Sequence, residues 1–495
     1  MFSLVSLVVG ALGLVIADAN ILTLDEQQPI AHHAAIVDGR FAYVGDDLAA
    51  ARRAAGKGAR ELDVLGTTVV PGFNDAHVHF GLSITLGADD ALEMGNGPAD
   101  RASFVHDITA SAAQAVRPDH HDWIFVTTRT LPDGVRTGRD LPAISRPLFV
   151  VTEHGALLNA LALARLRLSP TDAPDGCVRG RLIPAALDRA VKSLPRPILL
   201  SAAKQFLRTC ARLGITSVQL MDELPEIFAL LLHDRELTAR VRMMVFGYRF
   251  ETELYVPHFV SSDDDWLKVD ALKFFDDDWA RFPRGELRRV YVEAQGTGRP
   301  IVMHVLSRGA LRSLLDQLDA MERILPGGAE RFRIDHADEV PPELAARISA
   351  MKLVVCSNPS MLPEWQSDRA FPMRTLIDAG VTTCIGTDFV GRHVPERSLA
   401  PLTGLGLAVT HGGYGTAQRI TPTEALRAYT IGSARAEGRS DLGVIRVGAL
   451  GDLTGLSGDP SRVPAEEIDK LTIRYTIVGG RVVYENRPPP LLRAR

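Results

Sequence analysis

A long run of regular alternation constrains this chain most. Between about residues 71 and 435, short apolar strand-like runs alternate with amphipathic helical stretches. LFVVTE, GITSVQL, VDALKFF, PIVMHVL, FRIDHA, KLVVCS and TTCIGTD read as strands, and ALDRAVKSLP, ELPEIFALLLHD, ALRSLLDQLDAMERIL and PPELAARISA as helices. Strand–helix alternation of this kind argues for βα units and a parallel sheet. The span is long enough for eight such units with inserted loops. Residues 20–70 and the C-terminal LTIRYTIVGGRVVYE are different in texture: short, alternating and turn-rich, with hairpin turns expected at Asp38-Gly39 and Gly479-Gly480. The expected fold is therefore α/β, a (β/α)8 TIM barrel with a small β-sandwich domain built from both chain termini. Residues 1–70 and 436–495 would supply the two parts of the β domain, and 71–435 the barrel. Residues 81–125 are less orderly and fit an insertion after the first strand, placed over the catalytic face.

Composition bounds the rest. Of 495 residues, 46% are hydrophobic and 23% charged, which excludes a disordered, collagenous or coiled-coil chain. Lys+Arg is 55 against Asp+Glu 60, a net charge of −5 with no dense basic tract, so no nucleic-acid partner is expected. The four cysteines (Cys177, Cys210, Cys356 and Cys384) lie far apart without a CxxC, which excludes a disulfide-rich scaffold or a cysteine zinc knuckle and fits a cytoplasmic compartment. The opening MFSLVSLVVGALGLVIADA imitates a signal peptide, with Ala17-Asp18-Ala19 as a cleavage-like site. No basic residue precedes its apolar run, however, and it merges into strand-like sequence. An N-terminal strand with extra leading residues is the favoured reading, and a secretory leader the second. The run is short for a membrane span, so no stable membrane association is expected.

One motif carries chemistry outright. TTVVPGFNDAHVHF places a buried strand before His77 and His79. Residues i and i+2 of a strand share a face, so the two imidazoles can converge on one ion while Val78 packs the other way. Imidazole suits zinc, nickel or iron; two histidines on a strand can also be polar surface or satisfied core. Four later residues stand in the same relation to a strand: Lys273 in VDALKFFDDDW, His304 in RPIVMHVLSRG, His336 in RFRIDHADEV and Asp388 in VTTCIGTDFV. Each lies at the C-terminal end of an apolar run, where barrels build their sites. Singly, His304 and His336 also fit core histidines, Asp388 a helix N-cap and Lys273 a salt-bridged lysine. The same placement on successive strands favours a shared site.

These ordered motifs resemble the amidohydrolase superfamily, and within it the YtcJ-like branch that includes N-substituted formamide deformylases. IVDGRFAYVG and VVPGFNDAHVHF resemble the family's opening, and VTEHGALLNALAL a segment carrying His154 and Asn159. LKFFDDD, IVMHVLSRGA, RIDHADEV and CIGTDF follow in the family's order. TPTEALRAYTIGSARAEG, LGVIRVGALGDLTGL and TIVGGRVVYE resemble its close, so the likeness spans nearly the whole chain. It implies a divalent-metal site holding two zinc ions, or one in the simpler alternative. His77 and His79 would take the first metal. Asp388 would touch that metal and the attacking water. His304 and His336 would take the second, and a carboxylated Lys273 would bridge the two. A free ammonium has no lone pair with which to ligate, whereas a carbamate is a bidentate anion; an unmodified Lys273 would favour a single metal. The resemblance also implies that Asp388 carries the proton to the leaving nitrogen, and His154 is a candidate donor to the oxyanion.

Substrate-facing positions depart from the family. Where it usually has Asp-Gly after the lysine, this chain has Asp276-Asp277-Asp278-Trp279, and GCVRGRLIPAAL lacks an acidic residue often found there. Phe275, Trp279 and Trp365 are candidates for an apolar substrate wall, with core packing as the alternative. The expected activity is metal-dependent hydrolysis of a non-peptide C–N bond in a small amide-like substrate, linear or N-substituted. The alternatives are a mononuclear deaminase-like enzyme or a cyclic-amide or ester hydrolase, and, remotely, a non-catalytic scaffold. No nucleotide-binding GxGxxG or GxxxxGK[ST] competes. A homodimer is the common arrangement for such chains, though nothing in the sequence encodes it.

Overall fold

The computed structural model describes residues 13–85, 91–116, 121–152, 154–180, 182–221, 224–247, 265–275, 284–389 and 396–486. Eight parallel strands make one sheet in chain order: β1 Phe73–Val78, β2 Ile215–Leu220, β3 Arg240–Phe246, β4 Leu267–Phe275, β5 Ile301–Val305, β6 Phe332–His336, β7 Val354–Ser357 and β8 Thr382–Ile385. Just past β8 the chain returns to β1. The Asp388 N–H donates to the His77 carbonyl at 2.8 Å, and the His79 N–H donates to the Phe389 carbonyl at 3.0 Å. Gly386 permits this closure, because a Cβ there would stand 2.4 Å from His77 Cβ and 2.5 Å from its nitrogen. The result is a (β/α)8 barrel.

Strand alternation decides which side chains line its interior. Leu272 and Phe274 of β4, Ile301, Met303 and Val305 of β5, and Phe332 and Ile334 of β6 point outward. They share a core with Leu311, Leu314 and Leu318 of the helix Arg308–Ile324 and Leu344 and Ile348 of the helix Pro342–Ala350. Each such side chain stabilises the fold by about 1.5–3 kcal/mol through burial. The helix Arg308–Ile324 starts where it does because the Ser307 hydroxyl accepts the Ala310 N–H at 3.1 Å. The complementary set, Lys273, His304, Arg333 and Asp335, is left to the barrel interior.

Both chain ends build a pair of packed sheets. One has four strands (Leu14–Ala17, His33–Val37, Arg40–Gly45 and Arg60–Asp63). The other has six (Asn20–Leu22, Ile30–Ala31, Thr68–Pro71, Leu453–Leu456, Ile473–Val478 and Arg481–Glu485). Ile16, Ile36 and Phe41 of the first share a core with Ile21, Val69, Leu453 and Ile477 of the second. The two expected hairpins form. Asp38 and Gly39 have φ of 48° and 78°, and Gly479 and Gly480 have 55° and 75°, the left-handed pairs that a two-residue hairpin needs. Leu14–Ala17 of the leader-like opening is an interior strand of the four-stranded sheet, and residues 1–12 lie outside the described residues. No helix among the described residues is long and apolar enough to cross a membrane.

Two strands differ from the sequence reading. LFVVTE forms Leu148–Thr152, outside the barrel. It joins Leu92–Glu93, Ile124–Thr127, Gly155–Leu158 and Cys177–Val178 in a separate five-stranded sheet inserted between β1 and β2. The chain turns straight back into Gly155–Leu158 as an antiparallel partner, so no crossover helix follows Leu148–Thr152. The insertion is thus larger than residues 81–125. The barrel strand it displaces is β3, whose Arg240 and Arg242 interrupt the apolar pattern. Both are buried and paired, Arg240 Nε to Asp452 at 2.6 Å and Arg242 Nη2 to Asp270 at 2.6 Å.

Candidate metal centre

His77 and His79 leave β1 on one face, and Val78 between them packs outward into the core with Phe80, Phe206 and Phe228. Their Nε2 atoms stand 3.2 Å apart. Asp388 Oδ1 lies 3.3 Å from His77 Nε2 and 3.2 Å from His79 Nε2. Three ligand atoms held about 2.0–2.1 Å from one ion at tetrahedral angles are separated by roughly 3.3 Å. These donors therefore fit a single divalent cation. His77 is fully buried, while the Asp388 side chain keeps 16% of its exposure, so the set opens to solvent on the Asp388 side.

Backbone strain helps aim the third donor. Asp388 has φ of 51°, the left-handed region, and is pinned there by its bond to the His77 carbonyl. Asp75 braces the same corner: its carboxylate accepts from the Thr387 N–H at 3.0 Å, the Thr387 hydroxyl at 2.6 Å and the His77 N–H at 3.1 Å. Burial nonetheless pushes the Asp75 carboxyl up to about 6.

His304 and His336 close the other side. Their rings are 4.6 Å apart between centroids, and His336 is 5.0 Å from His77. Strict alternation along β6 would put Asp335 inward and His336 outward; the left-handed φ of His336, 74°, breaks the alternation and brings both to the interior. The Asn358 amide donates from Nδ2 to the Gly386 carbonyl at 2.9 Å, which leaves its Oδ1 facing His336 Nδ1 at 2.8 Å. That assigns the proton to Nδ1 and the free lone pair to Nε2. Burial, with His77 and Lys273, outweighs Asp388 and takes His336 down to about 4. Burial together with His336 and Lys273 holds His304 well below the usual imidazole value. Both are neutral imidazoles near pH 7.

Lys273 reaches the interior as expected, but its Nζ pairs with Asp335 Oδ2, an acid that the sequence reading passed over. Arg333 Nε donates to Asp335 Oδ1 at 2.6 Å. Arg333 also donates to Gln219 Oε1 and to the Ala76 carbonyl, each at 2.6 Å. Asp335 Oδ2 in turn lies 2.9 Å from His77 Nδ1. Burial opposes ionisation of Asp335, but Arg333, Lys273 and His77 outweigh it and hold the carboxyl well below the carboxylate range. Burial likewise opposes ionisation of Asp388, and His77, His79 and His336 overcome it. Among the described residues, one other group has metal-binding spacing: His77, Asp335 and Cys356. Its carboxylate already carries two cations, and burial, with the neighbouring Cys384, pushes the Cys356 thiol up and keeps it neutral.

Phe275 lies beside the cluster, 5.8 Å from His304 and 6.3 Å from His79 between ring centroids, with Lys273 Nζ 4.9 Å over its ring. Trp365 is 44% exposed and packs edge-on against Phe371. Trp279 and the Asp276–Asp278 run lie outside the described residues. His154 is exposed at the turn of the inserted hairpin, where its N–H donates to the Thr152 hydroxyl at 3.2 Å; the structure does not bring it into the contacts of the cluster. Asn159 caps the helix Ala160–Leu166, accepting the Ala162 N–H at 2.9 Å. Asp335, Arg333, Asn358 and Asp75 are the residues that sequence reasoning missed. The signal for the first two was Arg-x-Asp along β6, the period that shares a face across a strand.

The barrel and its donor set define a metal-dependent hydrolase, an enzyme acting on small-molecule substrates. Residues 60–484 match the amidohydrolase family, and the chain belongs to it. It is similar to an N-substituted formamide deformylase of Arthrobacter pascens, 25% identical across 95% of this chain and 98% of that protein. A putative amidohydrolase, YtcJ, of Bacillus subtilis is 27% identical over 40% of each chain. Among solved structures, an uncharacterised metal-dependent hydrolase from Pyrococcus horikoshii shares the fold, with a TM-score of 0.68 over 92% of this chain and 99% of that one at 20% identity.

Proposed function

We propose that this chain hydrolyses a non-peptide C–N bond in a small linear or N-substituted amide, with one divalent cation, zinc by its ligand types, held by His77, His79 and Asp388. The observation that carries this reading is the 3.2–3.3 Å spacing of the three donor atoms. The substrate class is supported by the formamide-cleaving relative, whose likeness extends along nearly the full length of both chains. When bound, the cation supplies Lewis acidity, polarising the scissile carbonyl and easing loss of a proton from water.

The chain's own residues do the rest. Asp388 presents Oδ1 to the donor set and lies with Oδ2 3.9 Å from His336 Nδ1. It takes the proton from the attacking water and returns it to the departing nitrogen. His336, with its proton fixed on Nδ1 by Asn358, offers the Nε2 lone pair to a substrate N–H. Phe275 supplies an apolar wall against the substrate. His154, on the inserted hairpin, has no part in this scheme. Asp388→Asn tests it on a panel of N-substituted formamides and linear amides, with esters and cyclic amides alongside. The variant should keep its metal and lose most of its turnover on the amides; full turnover would overturn the proton transfer assigned to Asp388.

A further inference from the structure

We propose that a pocket at the N-terminal end of the barrel binds a small organic oxyanion, an apolar body with a phosphate or carboxylate head, through Arg235 and Arg481. The pocket has a volume of about 510 Å³ and lies between the barrel and the β domain. Arg240 opens β3 and Trp266 directly precedes β4, while the hairpin glycines Gly39 and Gly479 reach in from the other side. Lys273 lies near the far end of β4, roughly 20 Å along the strand from Trp266. The pocket therefore stands apart from the metal centre.

Its walls suit an apolar body. Leu232, Leu237 and Leu450 line it beside the indole of Trp266. The indole is held in place: the guanidinium carbons of Arg481 and Arg240 stand 4.1 Å and 4.9 Å from its ring centre, and a Cβ on Gly479 would lie 3.2 Å from Trp266 Cζ2. Its charge suits an anion. Arg40, Arg235, Arg240 and Arg481 line the pocket against Asp38 and Asp265. Arg40 is taken by Asp265 at 3.1 Å and by Asp441 at 2.9 Å, and Asp265 is held by Arg439 as well, at 2.7 Å. Arg240 is taken by Asp452 at 2.6 Å. Arg235 and Arg481 carry no ion pair among the described residues, and neither does Asp38, exposed at its hairpin tip. With Asp38 set against them, the two arginines still leave a net positive charge. Arg481 donates to the Arg235 carbonyl at 3.4 Å and to the Leu237 carbonyl, which fixes its guanidinium beside the cavity without neutralising it. Burial, with the like charges of Arg240 and Arg235, pulls Arg481 below the usual guanidinium value against the attraction of Asp452. An oxyanion relieves that crowding, and a guanidinium meets such a head with parallel N–H donors. A concave, largely apolar pocket with a few placed polar groups is the ordinary form of a small-ligand site.

The test is calorimetric titration of the full chain with phenyl phosphate and with benzoate, using phenol as the neutral body alone. At least one of the two anions should bind, and more tightly than phenol. Arg235→Ala and Arg481→Gln should each weaken that binding about 10–100-fold. The bound anion should also change the tryptophan fluorescence of the wild type, and Trp266→Phe should lose that change. Glutamine at position 481 keeps an N–H donor for the Leu237 carbonyl; if that variant does not fold, Arg235→Ala, which alters an exposed side chain, decides alone. Undiminished affinity in the arginine variants would put the anion elsewhere, the metal centre included, and overturn the proposal. So would phenol that binds as tightly as the anions, or failure of both anions to bind the wild type.

Discussion

Two clusters of buried charge lie side by side in this barrel, and they differ in what already occupies their donor atoms. In the first, His77, His79 and Asp388 bring three donor atoms within 3.3 Å of one another, and among the described residues the ion-pair partners of Asp388 are histidines. In the second, Asp335 is equally buried, but its two oxygens are already taken by Arg333 and Lys273. Burial and acidity alone do not mark a metal site. What separates the two is whether the lone pairs are already committed to fixed cations. The two clusters adjoin at His77, whose Nδ1 stands 2.9 Å from Asp335 Oδ2.

The comparison can be broken from the first cluster. Asp388→Asn keeps an oxygen donor but removes the proton acceptor, and turnover should fall by about 10²–10⁴-fold while Zn2+ content holds. Metal loss with a proportional activity loss would mean that Asp388 acts as a ligand alone. Gly386→Ala strikes the backbone behind the same cluster. With a methyl 2.4 Å from His77 Cβ, the β8 end must shift, destabilising the chain by about 1–3 kcal/mol in chemical denaturation. An unchanged midpoint would show that the closure near His77 is looser than its hydrogen bonds suggest. The mildest expected effect is at the edge of the site. Asn358→Ala frees the His336 ring and should lower kcat about tenfold with Zn2+ content unchanged. Loss of Zn2+ in that variant would place His336 among the ligands and point to a second ion.

Much of this was legible in the sequence, for physical reasons. Pattern period identified the helices Pro225–His233, Arg308–Ile324 and Pro342–Ala350, because their apolar faces are long and unbroken. The i, i+2 spacing of His77 and His79 was sufficient to pair them. What escaped were features that only tertiary contact creates. Strand β3 carries arginines that read as exposed and are in fact buried against Asp452 and Asp270. Leu148–Thr152 has the texture of a barrel strand and pairs elsewhere, since texture does not encode partners. Lys273 was legible as a site residue, but its partner Asp335 was hidden behind His336. A strand with strict alternation shows one of two adjacent residues inward, and the left-handed turn at His336 that admits both has no sequence signature.

The most direct test of the central claim is metal per chain on protein purified without chelator or added metal, by inductively coupled plasma mass spectrometry, with the intact mass measured on the same sample under native conditions. A single-cation centre beside an ammonium Lys273 predicts about one equivalent and a mass without added CO2. Two equivalents together with the CO2 increment would contradict it and make Lys273 the bridging ligand.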